Sequence, residues 1–175
     1  MSEGLPAVID PFRLAEQGQT VQGRIPVARL KRLAGQLAET AGDAEVDLEF
    51  LEEARGRAVA RGTVRATLRM VCQRCLEPVE IVLDVPVHLV AVRTGAEADR
   101  LDEGEDPLIA SDGRVFLADL VEDELLLALP QVPMHPATVC GAAVVTDDEG
   151  AAGERAGPFA TLAALRRAQD RQGGG

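Results

Sequence analysis

The stretch Glu45-Val46-Asp47-Leu48-Glu49-Phe50-Leu51-Glu52-Glu53, with Arg57-Ala58-Val59-Ala60-Arg61-Gly62-Thr63-Val64-Arg65-Ala66-Thr67-Leu68-Arg69-Met70 after it, decides the fold. Val46, Leu48 and Phe50 share one parity; Glu45, Asp47 and Glu49 share the other. That alternation is the mark of a half-buried strand. After Ala54-Arg55-Gly56 the alternation resumes, with Ala58, Ala60, Gly62, Val64, Ala66, Leu68 and Met70 on one side. A three-residue loop ending in glycine suits a hairpin whose last loop residue is left-handed. Such a loop sets Glu53 opposite Arg57, Leu51 opposite Val59, Glu49 opposite Arg61, Asp47 opposite Thr63 and Glu45 opposite Arg65. A one-residue slip would break this matching of acids to bases and move the apolar set off its face.

Working outward, Val79, Ile81, Leu83, Val85, Val87 and Leu89 also alternate, so a second hairpin follows the first. Its turn is Cys72-Gln73-Arg74-Cys75-Leu76-Glu77-Pro78, which puts a CxxC at a hairpin tip. On the N-terminal side, residues 1–25 read as a leading segment with a short strand at Thr20–Ile25. Leu30, Leu33, Ala34 and Leu37 fall on one helix face and predict a helix near 27–40. On the C-terminal side, residues 94–113 are rich in Gly, Asp and Glu and read as an exposed loop. Leu117, Leu120, Val121, Leu125 and Ala128 predict a helix over 116–129, with Asp119 as a capping residue and Pro130 as its stop. Residues 130–136 form an extended loop. The fold class expected is α+β: an antiparallel, twisted sheet built from hairpins, with two or three packed helices. Residues 1–140 are expected to form a single domain, 141–157 a flexible acidic linker, and 158–168 a short amphipathic helix.

The chain has 175 residues, no Trp or Tyr and four Phe, so its core must be aliphatic. Its net charge of −11 is uneven: residues 1–93 carry 12 basic and 13 acidic groups, residues 94–175 carry 6 and 16. The acidic half repels a phosphate backbone and suits solubility or a basic partner. Three cysteines, an odd number, fit a reducing compartment. No N-terminal signal pattern is visible. The expectation is a soluble cytoplasmic protein.

All three cysteines and one of the two histidines fall into two clusters, Cys72/Cys75 and His135/Cys140. Four such ligands suit one tetrahedral zinc ion, with the CxxC as a zinc knuckle. The plain alternative is three reduced thiols and an unrelated histidine, and HxxxxC in place of a second CxxC keeps that alternative open. A thiol redox role needs a CxxC at a helix start, which a hairpin tip does not provide. No phosphate-binding or hydrolase motif occurs. Arg57, Arg61, Arg65 and Arg69 share one strand face and could track phosphates. The stronger reading pairs them with the acids opposite. Glu122-Asp123-Glu124 reads as a solvated helix face in preference to a magnesium site.

These segments resemble the large ribosomal RNA subunit accumulation protein YceD family. The resemblance is carried by Val71-Cys72-Gln73-Arg74-Cys75-Leu76-Glu77-Pro78, by Leu120-Val121-Glu122-Asp123-Glu124-Leu125-Leu126-Leu127-Ala128-Leu129-Pro130 and by Val132-Pro133-Met134-His135. Pro158-Phe159-Ala160-Thr161-Leu162-Ala163-Ala164-Leu165-Arg166 is similar to the family's closing segment. The resemblance implies a bacterial, non-enzymatic ribosome-biogenesis factor that supports rRNA accumulation. It would bind precursor RNA of the large subunit or a basic ribosomal protein. It carries over the motif residues Cys72, Arg74, Cys75, Glu122, Asp123, Glu124 and His135, of which Arg74 and the three acids join the arginine stripe as candidate RNA or partner contacts. The alternative functions are a thiol redox protein and a zinc-stabilised interaction module without a ribosomal role.

Overall fold

The structure is a computed structural model that describes residues 5–53, 56–136 and 139–140. These residues fall within one compact unit, Met1–Ala142. The linker and terminal helix expected over 141–157 and 158–168 lie outside the described residues.

The chain begins with β1 (Val8–Ile9), α1 (Pro11–Glu16), β2 (Thr20–Pro26), a 3-10 turn (Val27–Arg29) and α2 (Lys31–Ala34). Next come β3 (Asp43–Glu53), β4 (Arg57–Val71) and β5 (Pro78–Val92). The series closes with α3 (Gly95–Ala98), β6 (Asp106–Ile109), β7 (Val115–Phe116) and α4 (Leu117–Ala128). The main sheet has the order β2-β3-β4-β5-β6, antiparallel except for the parallel pair β5–β6. The class is α+β, as expected. A second sheet joins β1 to β7 and ties the start of the chain to the start of α4.

The first hairpin has the register read from its charges: Glu53 faces Arg57, Leu51 faces Val59, Glu49 faces Arg61, Asp47 faces Thr63 and Glu45 faces Arg65. Gly56 is left-handed at φ 71°, as the loop requires. Gly62 has a use the sequence did not reveal. It sits at φ 151°, and a Cβ there would lie 2.0 Å from the Asp47 carbonyl oxygen. Only a residue without a side chain lets β4 approach β3 this closely. The inner face of the sheet, with Leu48, Phe50, Val64 and Leu68, packs with Leu30, Leu33, Leu117, Val121 and Leu125 in one core.

Several expectations need correction. The helix near 27–40 is a 3-10 turn and one turn of α-helix. Past Gly35 the backbone leaves the helix and runs beside β4, where Ala38 N–H donates to the Arg69 carbonyl at 2.7 Å. Pairing with a strand wins there over the helical spacing of Leu37. The exposed loop over 94–113 contains α3 and β6, and β6 buries Leu108 beside β5. The leading segment also holds β1 and α1, the latter capped by the Asp10 carboxylate on the Phe12 and Arg13 amides. Asp119 is not a cap: α4 starts after Phe116 and has no side-chain cap at its N-terminus.

Candidate metal centre

β4 and β5 deliver the CxxC as the sequence implied. Their last pair is Val71 with Pro78. The turn closes through Cys72 N–H to Glu77 O at 2.9 Å and Leu76 N–H to Cys72 O at 2.9 Å. Leu76 is the one described non-glycine residue with positive φ, 65°. The loop after α4 is latched onto this tip, with Gln73 N–H donating to Pro133 O at 2.9 Å. That latch brings His135 and Cys140 beside the paired thiols.

The ligand atoms of Cys72, Cys75, His135 and Cys140 all lie within 4.8 Å of one another. Cys72 Sγ is 4.0 Å from Cys140 Sγ, and Cys75 Sγ is 3.3 Å from His135 Nδ1. A zinc ion with Zn–S bonds of about 2.3 Å holds its ligand atoms about 3.8 Å apart in a tetrahedron, so these spacings suit one ion. The imidazole is oriented for it as well. His135 Nε2 lies 3.1 Å from the Pro78 carbonyl. A hydrogen on Nε2 then donates to that carbonyl and leaves the Nδ1 lone pair facing the thiols, the usual outer hydrogen bond of a metal-binding histidine.

The electrostatics favour a thiolate at Cys72, which is fully buried. The Cys75 backbone N–H is the largest influence, and burial opposes it. The His135 and Arg74 N–H groups, each 3.5 Å from Sγ, assist, and the thiol falls from 9.0 to about 5. At Cys75 the Glu77 N–H pulls the pKa down most. Burial and the neighbouring Cys140 and Cys72 thiols outweigh it, and the net shift is upward. Such a set can hold a soft divalent metal, and its converging thiols can also form a disulfide.

The arginine stripe is tied up by acids. Arg57 pairs with Glu105 at 2.8 Å, Arg61 with Glu49 at 3.0 Å, Arg65 with Asp84 at 3.1 Å and Arg69 with Glu39 at 3.2 Å. Only the Arg61 pair is the cross-strand one expected within the first hairpin. Arg65 turns instead to β5 and Arg57 to the loop before β6. Arg74 has no acidic partner among the described residues, and its Nη2 lies 3.8 Å from Met134 Sδ.

The solvated face expected for Glu122-Asp123-Glu124 is also corrected. Glu122 is only 4% exposed. One carboxylate oxygen accepts from the amides of Arg32 at 2.7 Å and Leu33 at 3.1 Å, capping α2 from another helix. The other accepts from Arg32 Nε at 2.6 Å, while Asp123 holds Arg32 Nη1 at 2.6 Å. Burial raises the Glu122 pKa, but the Leu33 N–H and the Arg32 side chain and amide outweigh it, so the net shift is downward from 4.5. Glu122 is thus committed inside the fold, Asp123 is tied to Arg32, and Glu124 remains on the open side. No residue spacing announced this clamp, because Arg32 and Glu122 lie far apart in the chain.

No helix among the described residues is long and apolar enough to cross a membrane. Fold and site define an α+β protein whose hairpin tip gathers three cysteines and a histidine. The chain belongs to the YceD family: the model described as "Large ribosomal RNA subunit accumulation protein YceD" matches residues 60–166. That span includes both halves of the cysteine–histidine cluster and the helix that carries Glu122. A protein of the same description from Haemophilus influenzae is 33% identical over 168 residues, covering 93% of this chain and 97% of the relative. No solved structure matches.

Proposed function

We propose that the chain is a non-enzymatic cytoplasmic factor that supports accumulation of large-subunit ribosomal RNA by binding a basic ribosomal protein. The relative's description supplies the ribosomal role. The observation that carries the mode of binding is the neutralised arginine stripe: each of its four guanidiniums is held by an acid. With a net charge of −11, the chain has little to offer a phosphate backbone and much to offer a cationic surface.

In the same reading Cys72, Cys75, Cys140 and His135 Nδ1 hold one zinc ion, which would supply a cross-link between the hairpin tip and the loop after α4. The Pro78 carbonyl holds the imidazole, and the amides around Cys72 favour its thiolate. The site is then structural, since all four corners are protein atoms. A redox reading has the 4.0 Å approach of Cys72 and Cys140 in its favour.

Capture of the full chain from cells tests the binding reading. A ribosomal protein that stays bound after ribonuclease treatment is expected. Large-subunit RNA lost in parallel with every protein would overturn the choice of partner, and capture of neither would overturn the ribosomal role. Metal analysis of protein purified without chelator tests the centre. About one zinc per chain is expected; a metal-free protein with a readily formed disulfide supports the redox reading instead.

A further inference from the structure

We propose that the groove between α4 and the β5–β6 edge docks a basic amphipathic helix of the partner protein. Leu108, Leu120, Leu126 and Leu127 line it, Asp106 and Glu124 stand at its rim, and its volume is about 420 Å³. Leu127 is 83% exposed, on a helix whose opposite side is buried. A cavity of this size takes two or three leucine-sized side chains, the usual grip of a groove on a helix.

The charge of the rim selects the occupant. Residues 94–136 hold eleven acidic and two basic residues. Asp123 is bound to Arg32 and Glu105 to Arg57, but neither Asp106 nor Glu124 has a basic partner among the described residues. Burial raises the Glu124 pKa most, and the nearby Asp106 and Asp123 carboxylates add to the rise; with Asp106 and Glu124 unpaired, the rim carries negative charge. Nucleic acid and anionic lipid are repelled there. A second copy of the chain would bring the same acids against themselves. A helix with leucines at one face and lysines or arginines on its flanks meets both the apolar floor and the acidic rim.

The proposal rests on the reading that the chain acts by binding a basic protein, and its test is arranged so that the two can fail separately. The probe is a synthetic lysine–leucine amphipathic helix with a fluorescent label, set against a glutamate–leucine helix of identical leucine spacing. Binding to the full chain is followed by anisotropy. The lysine peptide is expected to bind and the glutamate peptide to fail. Leu127→Lys with Glu124→Lys is expected to weaken binding by about tenfold or more. The matched control is Val82→Lys with Glu80→Lys on the exposed face of the sheet, which makes the same charge change elsewhere and is expected to alter binding by less than about twofold. Equal weakening by both pairs would show general charge attraction and overturn the groove. So would failure of the lysine peptide to bind, or binding of both peptides alike. Self-association of the chain abolished by Leu127→Lys, without peptide binding, would assign the groove to a second copy and also overturn the proposal. If the groove fails while the wild-type chain still retains a ribosomal protein in cells, the functional reading stands without it.

Discussion

Replacing Glu122 separates what a buried carboxylate does as a cap from what it does as a charge. In Glu122→Ala, the amides of Arg32 and Leu33 lose the oxygen 2.7 and 3.1 Å away. A buried amide without a partner costs about 1–3 kcal/mol. Two such amides, one of them only partly buried, put the loss at about 2–4 kcal/mol. Glu122→Gln keeps an oxygen for both amides but gives up the charge and the hydrogen bond to Arg32, whose Nε–H would meet the glutamine NH2. The Arg32 side chain is half exposed, and water screens much of that attraction. The glutamine variant should therefore lose well under half of what the alanine variant loses, and Arg32→Ala should also lose less. Urea unfolding of all three, with a shared slope, measures this. Equal destabilisation by Gln and Ala would refute the capping account and assign the stability to the ion pair. The acid limb gives an independent check. Because the folded pKa of Glu122 lies below 4.5, the unfolded chain binds the proton more tightly. Its contribution is complete above 4.5 and disappears as pH falls through the folded value. Glu122→Gln should flatten the loss of stability over that acid window.

Other consequences are equally direct. If the centre holds zinc as proposed, Cys72→Ser should abolish the zinc found by metal analysis and lower the melting temperature; unchanged zinc content would exclude Cys72 as a ligand. Gly62→Ala places a Cβ 2.0 Å from the Asp47 carbonyl oxygen and should cost more than about 3 kcal/mol by denaturant unfolding. A neutral result there would mean that the β3–β4 contact is looser than described. Replacing Arg57, Arg61, Arg65 and Arg69 together by Gln should lower stability and leave any RNA binding, and its dependence on salt, unchanged. A flattened salt slope would return those arginines to a phosphate-contacting role.

The parts of this fold that were legible in the sequence are those whose information is carried over many residues. The first hairpin repeats its matching at Glu53–Arg57, Leu51–Val59, Glu49–Arg61 and Glu45–Arg65, so its register is overdetermined. α4 carries enough turns for Leu117, Val121 and Leu125 to declare a face. The two-residue strands β1 and β7 and the four-residue β6 have no such repetition. They exist because a neighbouring backbone offers hydrogen bonds at that place, which depends on the closed tertiary structure. The false length of the helix near 27–40 has the same origin, since Leu37 fits a helical spacing but Ala38 finds a strand to bond.

The candidate centre was legible for a different reason. Cysteine is rare in this chain, so the placing of all three in two short clusters is informative before any geometry is known. What the sequence could not supply was the latch that brings the clusters together. Gln73 N–H to Pro133 O and His135 Nε2 to Pro78 O are bonds to backbone carbonyls, and carbonyls leave no trace in residue identity. The clamp between Arg32 and Glu122 shows the converse limit. Both residues are common surface types, and consecutive acids on a helix ordinarily face water. Burial of one carboxylate is tolerated because three donors reach it at once. Through it, one turn of helix too short to persist alone is fixed against α4, the same helix whose far end leads into the histidine and cysteine of the centre. The motif around Glu122 is therefore spent on holding α2 and α4 together, and the surface left for a partner begins at Glu124 and Leu127.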